Sequence, residues 1–175
     1  MHSFTELVDR CAALTISSLK EINDRTIESL QTSGATSLVK TLQMIQLQKS
    51  ILVVGMFSLF ESSLQDGLKC KNGFDGALRI LEKERELTLV DSFNILYLAV
   101  NVLKHGTGKS YKALVARAEY SLPFQIRMPG ENFFDEGDVS EIFNLIRVDD
   151  EFVQYCADVI RQVFDIVKNN FYRFQ

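Results

Sequence analysis

Tryptophan is absent, and only two prolines, Pro123 and Pro129, occur in 175 residues. Both fall inside the segment 121–137, so nowhere else does proline remove a backbone donor and break a helix. Three cysteines, Cys11, Cys70 and Cys156, lie far apart with no C-x-x-C pair. That spacing gives no zinc site and predicts buried, reduced thiols in an intracellular protein. A Ser-His-Asp arrangement, metal-ligand spacing and a dinucleotide fingerprint are all missing, which predicts a protein without cofactors or metal. The net charge of −4 is too mild for a chain that coats nucleic acid indiscriminately, although a local basic patch stays open. Long apolar runs are scarce as well. The strongest, Ile51 to Phe60, is about half of the roughly 20 residues needed to span a bilayer, and Lys49 and Glu61 bracket it. Glu6, Asp9 and Arg10 occupy the place where a signal peptide would carry its apolar region. A soluble, cytoplasmic protein away from the membrane is expected.

What the chain does have is helix-forming sequence. Its hydrophobic fraction of 46% and lack of repeats predict one ordered domain over residues 1–175, large enough to bury a core. Ser3 and Glu6 form an S-x-x-E capping box, which places a first helix from about residue 4 to Gly34. Its apolar positions are Leu7, Cys11, Leu14, Ile16, Leu19, Ile22, Ile27 and Leu30. A second helix begins near Ser37 and meets no stop until Gly67 to Gly73. At 1.5 Å per residue its roughly 30 residues span about 45 Å, which suits the spine of a bundle or a dimer interface. A shorter charged helix covers Phe74 to Glu86. Asp91 can cap the next, which runs to His105, and a short helix from Ser110 to about Glu119 follows. Residues 121–137, rich in proline and glycine, read as an irregular insertion or short β arm, with Phe124, Ile126 and Met128 alternating with polar residues. A last helix opens near Asp149 or Asp150 and stops around Asn169. The sum is an all-α bundle of four main helices with an irregular insertion before the last.

Chemistry concentrates between Asn101 and Tyr111, in Asn101-Val102-Leu103-Lys104-His105-Gly106-Thr107-Gly108-Lys109-Ser110-Tyr111. Here lies the only internal histidine, at the end of an apolar helix. Asn101, Lys104 and His105 stand at i, i+3 and i+4, on one helical face. The turn Gly106-Thr107-Gly108-Lys109-Ser110 is not a nucleoside-triphosphate loop. The G-x-x-x-x-G-K-[ST] register requires glycine at position 103, which is leucine, and a preceding strand rather than a helix. One phosphate of a polymer is a smaller demand, and Lys109, Ser110 and Tyr111 are candidates to contact it. A lysine on the charge and a histidine for proton transfer can together handle a phosphodiester. The alternative is a histidine held at a helix C-terminus by the dipole alone.

The run Ala99-Val100-Asn101-Val102-Leu103-Lys104-His105-Gly106 resembles the motif of the HEPN superfamily, all-α domains of which many are metal-independent ribonucleases. The stretch Gly55 to Leu64 is similar to the long second helix of that family, where an acidic residue often follows an apolar run. The resemblance implies a four-helix fold, a homodimer and an endoribonuclease of toxin or phage-defence type that uses the RNA 2′-hydroxyl. It assigns His105 to acid/base work, Asn101 to positioning, and Lys104 with Lys109 to phosphate. Val100 stands where the family has arginine, so Lys104 or Lys109 must supply that charge. Otherwise the domain is a catalytically silent, dimeric binding or regulatory protein, partnered by an antitoxin or another regulator. Glu61 is the further candidate, placed to orient the imidazole or to lie at the solvated end of its helix. The run Glu82 to Glu86 reads as a wet helix face. Phe133, Phe134, Phe171, Tyr172 and Phe174 read as core packing or a partner surface.

Overall fold

The computed structural model describes residues 4–118, 122–131, 142 and 144–171. Among the described residues there are six α-helices, α1 (Phe4–Leu30), α2 (Thr36–Leu68), α3 (Gly73–Lys83), α4 (Leu87–His105), α5 (Lys109–Arg117) and α6 (Asp150–Val167), and a 3-10 turn follows at Lys168–Asn170. The all-α class expected from the sequence is the class observed, with four long helices and two short ones. The capping serine Ser3 lies outside the described residues, as do Phe133, Phe134, Tyr172, Phe174 and part of the 121–137 segment.

α6 is the hub, packed against α1, α2, α3 and α4. Its apolar stripe of Phe152, Val153, Cys156, Ala157, Val159, Ile160, Val163 and Val167 is wholly buried. Asp149 sets its start by accepting a 2.9 Å hydrogen bond from the Phe152 amide, which satisfies one donor of the open first turn. Beside it, Lys49 Nζ of α2 sits 2.7 Å from Asp150 Oδ1. This contact of opposite charges joins the spine helix to the head of the hub.

The 33 residues of α2 run without a break until Lys69, whose left-handed backbone (φ 52°) ends the helix while its amide bonds to Gln65 O. Gly73 then brings α3 hard against α2: a Cβ there would lie 2.7 Å from the Glu61 carbonyl oxygen and 2.8 Å from Leu64 Cβ. The centre of the core is aromatic. Phe57, Phe60, Phe74 and Phe93 from α2, α3 and α4 meet with ring centroids 4.6–6.4 Å apart. Phe57 and Phe60 both meet Phe93, and the earlier residue Phe57 also meets the later residue Tyr97. α2 and α4 therefore run antiparallel. By length and composition alone both could cross a membrane, but here both contribute side chains to a shared core.

Four expectations need correction. Asp91 does not cap α4, which starts at Leu87 because Leu89 is drawn into the core. Asp91 lies a turn inside, where its carboxylate pairs with Arg117 of α5 at 2.8 Å. The thiols are not uniformly buried, since Cys11 is exposed and Cys70 half-buried. On α1 the inward stripe is Thr5, Val8, Ala12, Leu19 and Thr26, while Leu7, Leu14, Ile22 and Ile27 face outward. Within 122–131 the arm forms no strand. A single antiparallel bridge links Ile126 to Ile146, through Arg127 N to Leu145 O (2.9 Å) and Arg147 N to Gln125 O (3.0 Å).

Candidate functional site

α4 is apolar on the face that meets the bundle, where Phe93, Leu96, Ala99, Val100 and Val102 are buried. A helix whose inner face is filled in this way must carry its polar residues outward. Asn101 is half-buried, and Lys104 and His105 are exposed, on the outer face of the last turns. Gly106 closes the helix with φ 68° and ψ −140°, a region essentially restricted to glycine, while its amide donates to Val102 O at 2.8 Å. The chain turns through Thr107 and Gly108 and at once opens α5 with Lys109 and Ser110. The end of α4 and the start of α5 thus share one corner, and the Asp91–Arg117 ion pair ties the other ends together. That corner collects four of the predicted site residues, Asn101, Lys104, His105 and Lys109, with Ser110 half-buried beside them. Lys104 lies in the last turn of α4, next to the negative end of that helix's dipole, which favours its positive charge.

Two predicted residues do not join the corner. Tyr111 turns inward, is 8% exposed, and donates its hydroxyl to the carbonyl of Arg127 at 2.5 Å. Its part is structural, holding α5 to the extended segment. Glu61 is separated by the antiparallel register of α2 and α4. It lies level with the first half of α4, near Gly73, whereas His105 is eight residues beyond Tyr97 towards the opposite end, about 12 Å of helix. No side-chain bond joins Glu61 to His105 or Asn101 among the described residues.

Val100 is 2% exposed and packed in the core. No cationic side chain is therefore presented at position 100, and Lys104 and Lys109 are the exposed cations nearest His105 in sequence. Among the described residues, no group of three or more histidine, cysteine, aspartate or glutamate side chains converges as a metal site. Sequence reasoning overlooked a different surface, the outward apolar face of α1 and α2. Its signal was present as a second apolar stripe on α1 (Leu7, Cys11, Leu14), but the reading folded both stripes into one.

The molecule is thus defined as an all-α bundle with a polar, cationic helix-to-helix corner. No family model matches the chain, and no curated protein and no solved structure is similar to it.

Proposed function

We propose that this protein is a HEPN-like, metal-independent endoribonuclease of the cytoplasm, of toxin or phage-defence type, acting as a homodimer. The observation that supports the reading is the corner itself. Asn101, Lys104 and His105 share an outward face beside Lys109, and none of these side chains is bonded to another described residue. Among the described residues they are unengaged, and Lys104, His105 and Lys109 are exposed to solvent where a ligand can reach them. His105 takes the proton of a ribose 2′-hydroxyl as that oxygen attacks phosphorus and the bond to the 5′ oxygen breaks. Water protonates the leaving oxygen, and the products are a 2′,3′-cyclic phosphate and a 5′-hydroxyl end. Lys104 and Lys109 offset the charge that builds on the phosphoryl oxygens, and Asn101 holds the phosphodiester in register. DNA, which lacks the nucleophile, is resistant.

The test compares wild type with His105→Ala for growth arrest on expression and for total-RNA integrity in the presence of chelator. RNA cleaved in chelator by wild type and spared by the variant supports the nuclease. Two equally inert proteins would remove it.

The buried Val100 favours a second reading, a catalytically silent domain that acts through partner binding, for example to an antitoxin. In that case neither protein cleaves RNA, and growth effects follow the partner rather than His105.

A further inference from the structure

Among the described residues, the outer side of α1 and α2 is an unpartnered apolar surface. Leu7 and Leu14 of α1, with Met44, Leu47, Ile51 and Leu59 of α2, are each between 50% and 70% exposed. Three of them, Leu7, Ile51 and Leu59, line an open groove of about 860 Å³ between the two helices with Phe4, Cys11 and Gly55, and Ser62, Ser63 and Asp66 form its polar end. On α2 the spacing from Met44 through Leu47, Ile51 and Gly55 to Leu59 is i, i+3, i+7, i+11 and i+15. This is a continuous stripe along one side of a helix, and the core-facing residues Val53, Met56, Phe57 and Phe60 occupy the other side. Charge is sparse along the α2 part of the stripe. From Thr41 to Phe60 the only charged residue is Lys49, and its side chain is tucked against Asp150 and only 14% exposed.

We infer that this stripe is the self-association surface of the protein, with a second copy laying its own α2 antiparallel across Gly55. Three features carry the assignment. The first is area. A leucine-sized side chain holds on the order of 120 Å² of apolar surface, so the six exposed residues present roughly 400 Å². That approaches the apolar share, about 57% or roughly 450 Å², of the roughly 800 Å² that each partner buries in a standard interface. The second is self-complementarity. Ile51 and Leu59 lie four residues either side of Gly55, so a two-fold axis there sets the Ile51 of each copy against the Leu59 of the other, as an isologous contact requires. The third is Gly55 itself. Glycine weakens a helix interior, and a Cβ at Gly55 would meet nothing within 4 Å in its own chain. Packing within one copy therefore gives no reason for a glycine, whereas the close crossing of a second helix does.

The inference rests on the homodimer half of the proposed reading and is independent of its nuclease half. Sedimentation velocity of the full chain over a hundredfold range of concentration gives the first answer, and it should show a dimer. Ile51→Glu with Leu59→Glu, both at exposed positions, should yield a monomer with an unchanged far-ultraviolet spectrum. Independently, Gly55→Cys in a Cys11→Ser/Cys70→Ser background should give a crosslinked dimer with a short bis-maleimide, and Lys20→Cys in the same background should not. A wild type that is monomeric throughout overturns both the dimer and its surface, and the same holds if that monomer instead co-sediments with phosphatidylglycerol vesicles. A dimer that survives the double glutamate variant overturns the surface alone. RNA cleavage assayed on the same preparations reports separately on the nuclease.

Discussion

The hydroxyl of Tyr111 donates to the main-chain carbonyl of Arg127, 2.5 Å away and sixteen residues later in the chain. This buried bond fastens α5, and with it the corner that carries Lys109, to the extended segment that returns towards α6. Tyr111→Phe keeps the ring and leaves that carbonyl without its partner. Losing one partner of a buried pair costs about 1–3 kcal/mol. Chemical denaturation should show a drop of that order, and on the proposed reading RNA cleavage per folded molecule should be unchanged. A variant of normal stability and lowered cleavage would instead return Tyr111 to the substrate.

Gly106 holds φ 68° with ψ −140°, and a Cβ there has open space around it. Substitution is therefore opposed by the backbone and not by any neighbour. Gly106→Ala should destabilise by about 1–3 kcal/mol, the usual cost of a side chain in such a conformation. Relief of that strain would move His105 relative to Lys109, so on the proposed reading RNA cleavage should fall by more than the loss of folded protein explains. Equal losses in the two measurements would show that the turn does not position the site.

How much of this was legible in the sequence depended on which force set each feature. Helix boundaries governed by local chemistry were readable: Asp149 before α6 and Gly106 after α4 announce themselves through capping and positive φ. The start of α4 was not, because burial of Leu89 outweighs the capping preference of Asp91. Face assignments failed where a helix carries two apolar stripes. On α1, Val8 and Ala12 face inward and Leu7 and Leu14 outward, and only the neighbouring helices decide between them. The candidate corner was readable because Asn101, Lys104 and His105 lie within one turn of each other. Glu61 was misplaced because its distance from His105 depends on how α2 and α4 pair, and spacing along one helix carries no information about that.

Cys156 lies wholly inside the core, and burial pushes its thiol far above the ordinary range. Tyr155 beside it is raised too, first by burial. A group whose folded pKa exceeds its unfolded one keeps its proton in the native state while the unfolded chain releases it. Stability is therefore full below about pH 8.5, the unfolded value for cysteine, and declines above it. Cys156→Val should remove about 2 kcal/mol of the loss in unfolding free energy between pH 7 and pH 10. Thiol labelling of the native protein gives a parallel check: Cys11 should react first and Cys156 only after unfolding.

Lys104 and Lys109 are exposed at the joint of α4 and α5, and Val100 is buried, so on the proposed reading these two lysines supply the cationic charge there. Each phosphate contact to single-stranded nucleic acid contributes about 0.7 to the slope of log affinity against log salt. For binding of an RNA made uncleavable by 2′-O-methylation, Lys104→Ala with Lys109→Ala should therefore lower the magnitude of the slope by about 1.4. Fluorescence anisotropy over a range of sodium chloride concentrations measures it. The same pair should leave thermal stability within about 0.5 kcal/mol, because exposed, unpaired side chains have little to lose. An unchanged slope would place the RNA on another face of the molecule, and His105 would then be a helix-terminal histidine held by the dipole of α4.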